Sequence, residues 1–308
     1  MFLTGGLGNQ LFQISALIAL TENRSLNVDV LNGSPRGDQL GKPDSLKFSF
    51  GNNLVIPELK GISTIVRRAL NYCLRIHVKP RSLFSVFLLP RFIRFIVSLL
   101  LSISLKELIA VRVCHGIGFD SRIKQSRFNT FFIGYFQSYK WFEMARSKEV
   151  ISIQLENSST LVQEFKDLAE IERPLVVHVR LGDYLAENGF GTLDKTYYEK
   201  ALALALSTKN FGKIWLFSDD PQKALLRIPM NLGIEVRVMP DFGGSPAATL
   251  EAMRFGRGYV IGNSTFSWWG ATLSYAFEPV VIYPFPWFKA LDLPMDLVPL
   301  RWSSVDAF

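Results

Sequence analysis

PLVVHVRLGDY, residues 174–184, decides how the chain is read. Leu175-Val176-Val177 is the apolar, β-branched run of a strand buried on both faces, as in a parallel sheet. It leads into His178, Val179 and Arg180, and then into Leu181-Gly182-Asp183-Tyr184. Open α/β sheets take their ligands outside the carboxyl ends of the strands. A His, an Arg and an Asp are therefore delivered to the place where such a sheet does its chemistry. Arg carries a planar, permanently charged fork that matches phosphate oxygens. Alternation along the strand puts His178 and Arg180 on one face and Val179 on the other. Taken alone, the stretch fits a surface Arg–Asp pair beside a packed His equally well.

Beyond Tyr184 the chain is regular. Helices are expected over 194–207, 221–227, 247–255 and 264–275. Strands are expected over 213–217, 235–239, 259–262 and 280–283, the last of these closing the sheet. Strands alternating with helices imply right-handed βαβ units on a parallel sheet. Residues 156–308 thus read as a Rossmann-like lobe, led in by a helix over 161–169. Residues 1–155 read as a second α/β lobe. There, TGGLGNQ at 4–10 is a Gly-rich turn ahead of an apolar run over 11–20. It can let backbone amides approach a ligand. It is not the dinucleotide fingerprint, because Leu11 stands where a third Gly belongs. A strand is expected over 26–31, a loop over 32–53, and a strand, Gly turn and helix start over 131–142.

Composition bounds the class. The chain has 308 residues, 48% hydrophobic and 20% charged, which are globular values. Two cysteines, Cys73 and Cys114, cannot make a disulfide framework, and MFLTGGLGNQ is not a signal peptide. The expected compartment is the cytoplasm. The net charge of +7 is unevenly placed: nine Lys and Arg and no Asp or Glu lie in 59–106, and without those nine the chain carries −2. A nucleic-acid partner is not expected, since this basic segment is apolar and lacks base-stacking spacing. Within it, 82–105 is the most apolar stretch. Arg91 and Arg94 would each cost roughly 2.5–3.5 kcal/mol at the middle of a membrane span. Arg91, Arg94, Ser98 and Ser102 instead form one polar stripe on a helix. Two placements fit: a helix in the membrane interface at the inner face of the cell membrane, or a helix packed on the domain with its Arg side chains reaching outward.

VIGNSTFSWWGA at 260–271 is the second informative stretch. A strand gives way to Asn263-Ser264-Thr265 and a helix, whose free N-terminal amides favour an anion such as a pyrophosphate. Ser218-Asp219-Asp220 ends another strand; its acids fit a ribose hydroxyl, a base edge, or a helix cap ahead of Pro221. No Asp-x-Asp, no Cys/His cluster and no P-loop occurs. The pattern points to a nucleotide-sugar site in which Arg and backbone amides, not a metal ion, hold the diphosphate.

Five stretches together resemble glycosyltransferase family 11, the α-1,2-fucosyltransferases: TGGLGNQLFQ at 4–13, IGYFQSYKWF at 133–142, HVRLGDY at 178–184, FSDD at 217–220 and NSTFSWWGA at 263–271. They stand in the family's order and run nearly end to end. Leu181 stands where a second Arg is common. The resemblance implies a two-lobed GT-B fold with the donor site in the C-terminal lobe. It also implies GDP-fucose as donor, inverting transfer to galactose O2, and no metal or other cofactor. Carried over, His178 and Arg180 bind the diphosphate. Asn263, Ser264, Thr265 and Ser267 complete the phosphate site, and Asp219 and Asp220 face the nucleoside. Gly6, Asn9 and Gln10 line the cleft from the N-terminal lobe, and Asp183 is the candidate acid/base or acceptor-positioning group. The expected acceptor is a galactose-terminated, lipid-linked surface glycan, with 59–106 holding the enzyme at the membrane. Two competing readings are an α-1,6- or α-1,3-fucosyltransferase of GT-B type and a catalytically inactive GDP-sugar-binding assembly protein.

Overall fold

The computed structural model describes residues 1–20, 31–32, 48–50, 64–78, 89–114, 116–123, 129–146, 153–155, 159–182, 189–229, 232–290 and 296–308. The chain forms two compact units: Met1–Gln154 with Pro294–Val298, and Leu155–Leu293 with Pro299–Phe308.

The first unit opens on β1 (Phe2–Leu3) and α1 (Leu7–Leu20). The helix starts inside the Gly-rich turn, ahead of its apolar run, because the Gly6 carbonyl accepts from the Asn9 and Gln10 amides at 3.0 and 3.1 Å. β2 (Leu31–Asn32) pairs in parallel with β1. Of the strand expected over 26–31 only Leu31 is among the described residues, and the pairing continues into Asn32. Phe48–Phe50 (β3) is a strand within the stretch expected as a loop. Then come α2 (Thr64–Val78), α3 (Leu89–Leu105), and β4 (Ile109–Val113), which pairs in parallel with β5 (Asn129–Ile133). β4 was not expected. IAVRV alternates buried with half-buried residues, a period-two pattern easily overlooked beside the far more apolar α3. α4 (Tyr139–Arg146) packs on α1, and β6 (Ile153–Leu155) comes next.

The core of this unit joins Phe2, Leu70 and Leu74 to Val97 and Leu101 of α3 and to Val111, Phe131 and Ile133. One face of α3 is therefore core. Two residues of the polar stripe, Ser98 and Ser102, are half-buried and serve the backbone. Ser98 Oγ donates to the Ile109 carbonyl, and Ser102 Oγ accepts from the Ile109 N–H at 3.0 Å. Two hydroxyls satisfy the backbone where the chain leaves the helix for β4, which a Leu or Val could not do. Among the described residues no helix is long and apolar enough to cross a membrane.

The second unit is a Rossmann-like α/β layer. It contains α5 (Ser159–Glu172), β7 (Leu175–Val179), α6 (Lys195–Thr208), β8 (Lys213–Ser218), α7 (Pro221–Leu225), β9 (Glu235–Val238), α8 (Pro246–Met253), β10 (Gly258–Val260), α9 (Thr265–Thr272), β11 (Val280–Phe285) and β12 (Ser303–Asp306). All six strands are parallel, in the order β12-β11-β10-β7-β8-β9. β7 is buried at every position, as its unbroken apolar run requires. β12 is a correction to the expectation that β11 closes the sheet. SSVD has no apolar pattern because it is a half-exposed edge strand, paired on one side only. The chain lays β7, β8 and β9 outward in one direction, then returns to place β10 on the other side of β7. The strand order reverses there.

Glu172, at the end of α5, ties this sheet together. Its buried carboxylate accepts from Trp215 Nε1 at 2.6 Å and Arg237 Nε at 3.0 Å, and pairs with Lys213 Nζ at 3.2 Å. Burial pushes its pKa up, but the hydrogen bonds from Arg237, Trp215 and Lys213 outweigh burial and hold it below the ordinary 4.5. Its stabilising contribution is therefore present above that ordinary value and is lost as pH falls through the lower folded value. Glu172→Gln should destabilise the chain by about 1–3 kcal/mol at neutral pH, with the difference from wild type closing in acid. Denaturant melts of both proteins across pH check this, and a pH-independent difference would contradict it.

Candidate functional site

The reversal between β7 and β10 is the position where an open α/β sheet leaves a crevice at its carboxyl edge. His178 lies near the end of β7 and Arg180 just past it, and Gly262 through Ser264 link β10 to α9. His178 is only 5% exposed. Its backbone carbonyl accepts from the Tyr198 hydroxyl at 3.2 Å, and its ring lies 6.0 Å from that of Phe266 on α9. A Cβ on Gly262 would stand 3.2 Å from the His178 carbonyl oxygen, a tight contact that glycine avoids. Nδ1 of His178 is buried without a hydrogen-bond partner. Burial first, and the Arg180 charge second, push the imidazole down to about 3, against a smaller opposite pull from Asp219. The ring is neutral near pH 7.

Arg180 is part exposed and pairs with Asp219 Oδ2 at 3.3 Å. Asp219 does more than balance this charge. Its Oδ1 accepts from the Leu181 amide at 3.0 Å and its Oδ2 from the Gly182 amide at 2.8 Å. A Cβ at Gly182 would meet Oδ2 at 2.6 Å. The carboxylate expected to face a nucleoside is thus engaged by the turn after β7. Asp220 caps α7, accepting from the Lys223 amide at 3.1 Å and pairing with Lys223 Nζ at 2.7 Å; these contacts lower its pKa. Asp183 lies outside the described residues.

The N-terminus of α9 is built by its own sequence. Ser264 is the N-cap and accepts from the Phe266 amide at 3.3 Å. Ser267 is fully buried and donates to the Ser264 carbonyl at 3.1 Å, while Asn263 Nδ2 donates to the Phe190 and Gly191 carbonyls at 3.2 and 3.0 Å. Thr265 is the first helical residue. These four residues shape the loop that presents the amides of α9. Tyr197 and Tyr198 are absent from the sequence-based site, yet both brace it: Tyr197 Oη donates to the Ile261 carbonyl at 2.6 Å. Two adjacent tyrosines on a helix of low amphipathicity read as core, and core they are, apart from their hydroxyls.

In the first unit, Gln10 Nε2 donates to the Gly5 carbonyl at 3.0 Å, and Asn9 Oδ1 accepts from Gln137 Nε2 at 2.9 Å. Gln13 bridges the Thr4 amide and the Gly134 carbonyl. The space beside the Gly6 Cα is open. The TGGLGNQ and IGYFQ stretches therefore meet at one end of this unit, and Gln137, whose buried Oε1 has no partner, joins the group the sequence singled out.

The sequence pattern described as "Glycosyl transferase family 11" matches residues 119–290, more than half of the chain. The chain belongs to glycosyltransferase family 11. This family 11 chain is 25% identical over 182 residues to the alpha-1,2-colitosyltransferase of Escherichia coli, covering 57% of this chain and 62% of that protein's length. It is 25% identical over 301 residues to the O-antigen biosynthesis glycosyltransferase WbnK of Escherichia coli, covering 93% of each. Among solved structures, fucosyltransferase NodZ from Bradyrhizobium is similar at 16% identity and a TM-score of 0.48, over 90% of this chain and 94% of that one.

The clamp and the buried ring each lead to a measurable outcome. Gly182→Ala and Asp219→Ala break the same clamp, so each should cost about 1–2 kcal/mol and the double variant no more than the larger single loss. Thermal melts check this, and simple additivity would contradict it. Because His178 titrates at about 3 folded against 6.5 ordinarily, the unfolded chain takes up the extra proton between those values, and stability falls as pH drops through that window. His178→Asn should flatten that fall; NMR that finds the wild-type ring charged at pH 5 would contradict the buried placement.

Proposed function

We propose that this chain transfers fucose from GDP-fucose to O2 of a galactose in a surface-polysaccharide or oligosaccharide acceptor, with inversion and without a metal ion. The observation that carries this reading is the buried, unpartnered Nδ1 of His178 at the strand-order reversal, its ring 6.0 Å from that of Phe266 on α9, with Arg180 two residues further along the same chain segment. Such a set suits a diphosphate: a permanent fork, a neutral donor and the positive end of a helix dipole. Family membership supplies the reaction class.

As the bond to fucose breaks, charge grows on the β-phosphate and the anomeric carbon becomes oxocarbenium-like. Arg180 and the α9 amides would stabilise that charge in place, the kind of preorganised electrostatic effect that dominates many enzymes. His178, with a conjugate acid near 3, is too weak a base to take the acceptor proton and better suits donating to a phosphate oxygen. Asp183 is assigned the acceptor side, as base or as positioning group. Asp219 is a positioning residue that acts through Arg180. Gly6, Asn9 and Gln10 are assigned to the acceptor side. The acceptor is a lipid-linked glycan on the cytoplasmic side of the cell membrane.

A second reading, colitosyl rather than fucosyl transfer, is favoured by the relative named for alpha-1,2-colitosyl transfer. The deciding measurement is GDP release by purified protein in EDTA, with GDP-fucose or GDP-colitose, with and without a β-galactoside such as lactose. Acceptor-dependent release from GDP-fucose and an α-1,2 linkage in the product are expected. Release from GDP-colitose alone selects the second reading, an α-1,6 or α-1,3 product overturns the linkage, and GDP binding without turnover on any galactoside makes the chain an inactive binder. Arg180→Ala should lower kcat/KM by about 10²–10³ with the melting temperature kept; near-normal turnover would remove Arg180 from the phosphate site.

A further inference from the structure

α3 is apolar on two opposite faces, and only one of them is used by the core. Val97 and Leu101 are fully buried in the first unit. On the other side Phe92, Phe95, Leu99 and Ile103 are 64, 65, 48 and 66% exposed. Their spacing of three, four and four makes one continuous stripe along the helix. Leu108, just past the helix, is exposed as well. On α2, which packs against α3, Ile65 and Tyr72 are exposed, as is Arg68 between them in sequence. Single exposed apolar residues are ordinary, but a run of large aromatic and aliphatic side chains on one helix marks a docking surface.

The charge of the segment selects what covers it. Residues 59–106 hold nine Lys and Arg and no Asp or Glu, while the remainder of the chain is net negative. Arg68 and Lys106, at the two ends of this pair of helices, are exposed, and the exposed Glu107 beside Lys106 accepts from Asn129 Nδ2 at 2.7 Å. A second copy docking through this face would set like charge against like charge, because a two-fold contact presents the same patch from both sides. An anionic bilayer matches both properties: apolar side chains sink into the boundary between headgroups and acyl chains, and Lys and Arg meet the headgroup phosphates. At about 1.5 Å per residue α3 is roughly 25 Å long, and it carries two Arg, so it suits lying on the surface rather than crossing it.

We propose that the stripe Phe92, Phe95, Leu99 and Ile103, with the exposed face of α2, seats this chain on an anionic lipid bilayer. Lipid binding of this kind depends neither on the sugar donor nor on turnover. The test is co-sedimentation of the full chain with vesicles of phosphatidylcholine, alone or with about one-third phosphatidylglycerol. The wild type should pellet with the anionic vesicles, less so as salt rises, and weakly or not at all with the neutral ones. Phe92→Ser/Phe95→Ser/Ile103→Ser should weaken binding by more than about tenfold. Leu226→Ser, an equally exposed residue in the second unit, should leave binding unchanged. Should the triple variant not fold, Ile65→Ser/Tyr72→Ser takes its place. Three results overturn the proposal: no binding of the wild type to anionic vesicles at low salt, equal binding by wild type and stripe variant, or a lipid-free dimer that the stripe variant abolishes, which would give the face to a second copy.

Discussion

The Asp219 carboxylate accepts two backbone amides from the turn after β7 and pairs with Arg180, which leaves that strand two residues after His178. Register makes this possible. β7 and β8 run in parallel with His178 opposite Phe217 and Val179 opposite Ser218, so one step further brings Arg180 alongside Asp219. An arginine at a free strand end has about 2 kcal/mol of rotamer entropy to lose on binding a ligand. Here the neighbouring strand has already restricted it. The same acid fixes the turn, so the guanidinium and the backbone below it are set by one group. That also explains Gly182: a side chain there would occupy the space of the oxygen that holds the turn.

α6 governs the other half of the site. Its consecutive Tyr197 and Tyr198 send hydroxyls to the carbonyls of Ile261 and His178, one on each side of the strand-order reversal. A single rigid helix thus sets the gap between the ends of β7 and β10, the gap a ligand of such a sheet occupies. With His178 buried beside Phe266 and Gly262, its imidazole is uncharged near neutral pH. The local positive potential then comes from Arg180 and from the amides of α9.

The alternating pattern of the second unit was legible because each element obeys a local rule. LVVHV is buried on both faces, Asp220 and Ser264 cap the helices they precede, and Pro221 sits in a first turn. β12 escaped because SSVD at a sheet edge needs no apolar face. β4 escaped because its signal is five residues long and adjoins a longer, stronger one. Residue types pointed to the ends of β7, β8 and β10, which one sheet brings to a common edge, but not to what each side chain contacts there. Asp219 and Asp220 look alike in sequence; one clamps a turn and an arginine, and the other caps a helix. Only the register of β7 on β8 separates them, and register is a property of the pairing. Tyr197 and Tyr198 were invisible for the converse reason. A buried tyrosine and a bracing tyrosine have the same apolar neighbours, and the difference lies in one hydroxyl.

α3 carries the sharpest conflict between local pattern and tertiary outcome. Periodicity places Ser98 and Ser102 with the arginines on a polar, solvent-facing stripe. The fold half-buries them, because the chain turns from α3 into β4 and leaves the backbone of Ile109 in need of partners that serine can supply. With Val97 and Leu101 in the core on the opposite face, the helix presents Phe92, Phe95, Leu99 and Ile103 outward. Leaving one such side chain in water forgoes about 1.5–3 kcal/mol relative to burial. A helix that satisfied only its own unit could carry polar residues at those four positions without touching Val97, Leu101 or the serines. Their apolar character is thus unexplained by the fold of the first unit, and it coincides in sequence with a segment of 48 residues that holds no acidic residue. Core packing asks for neither property, whereas an anionic, apolar surface asks for both.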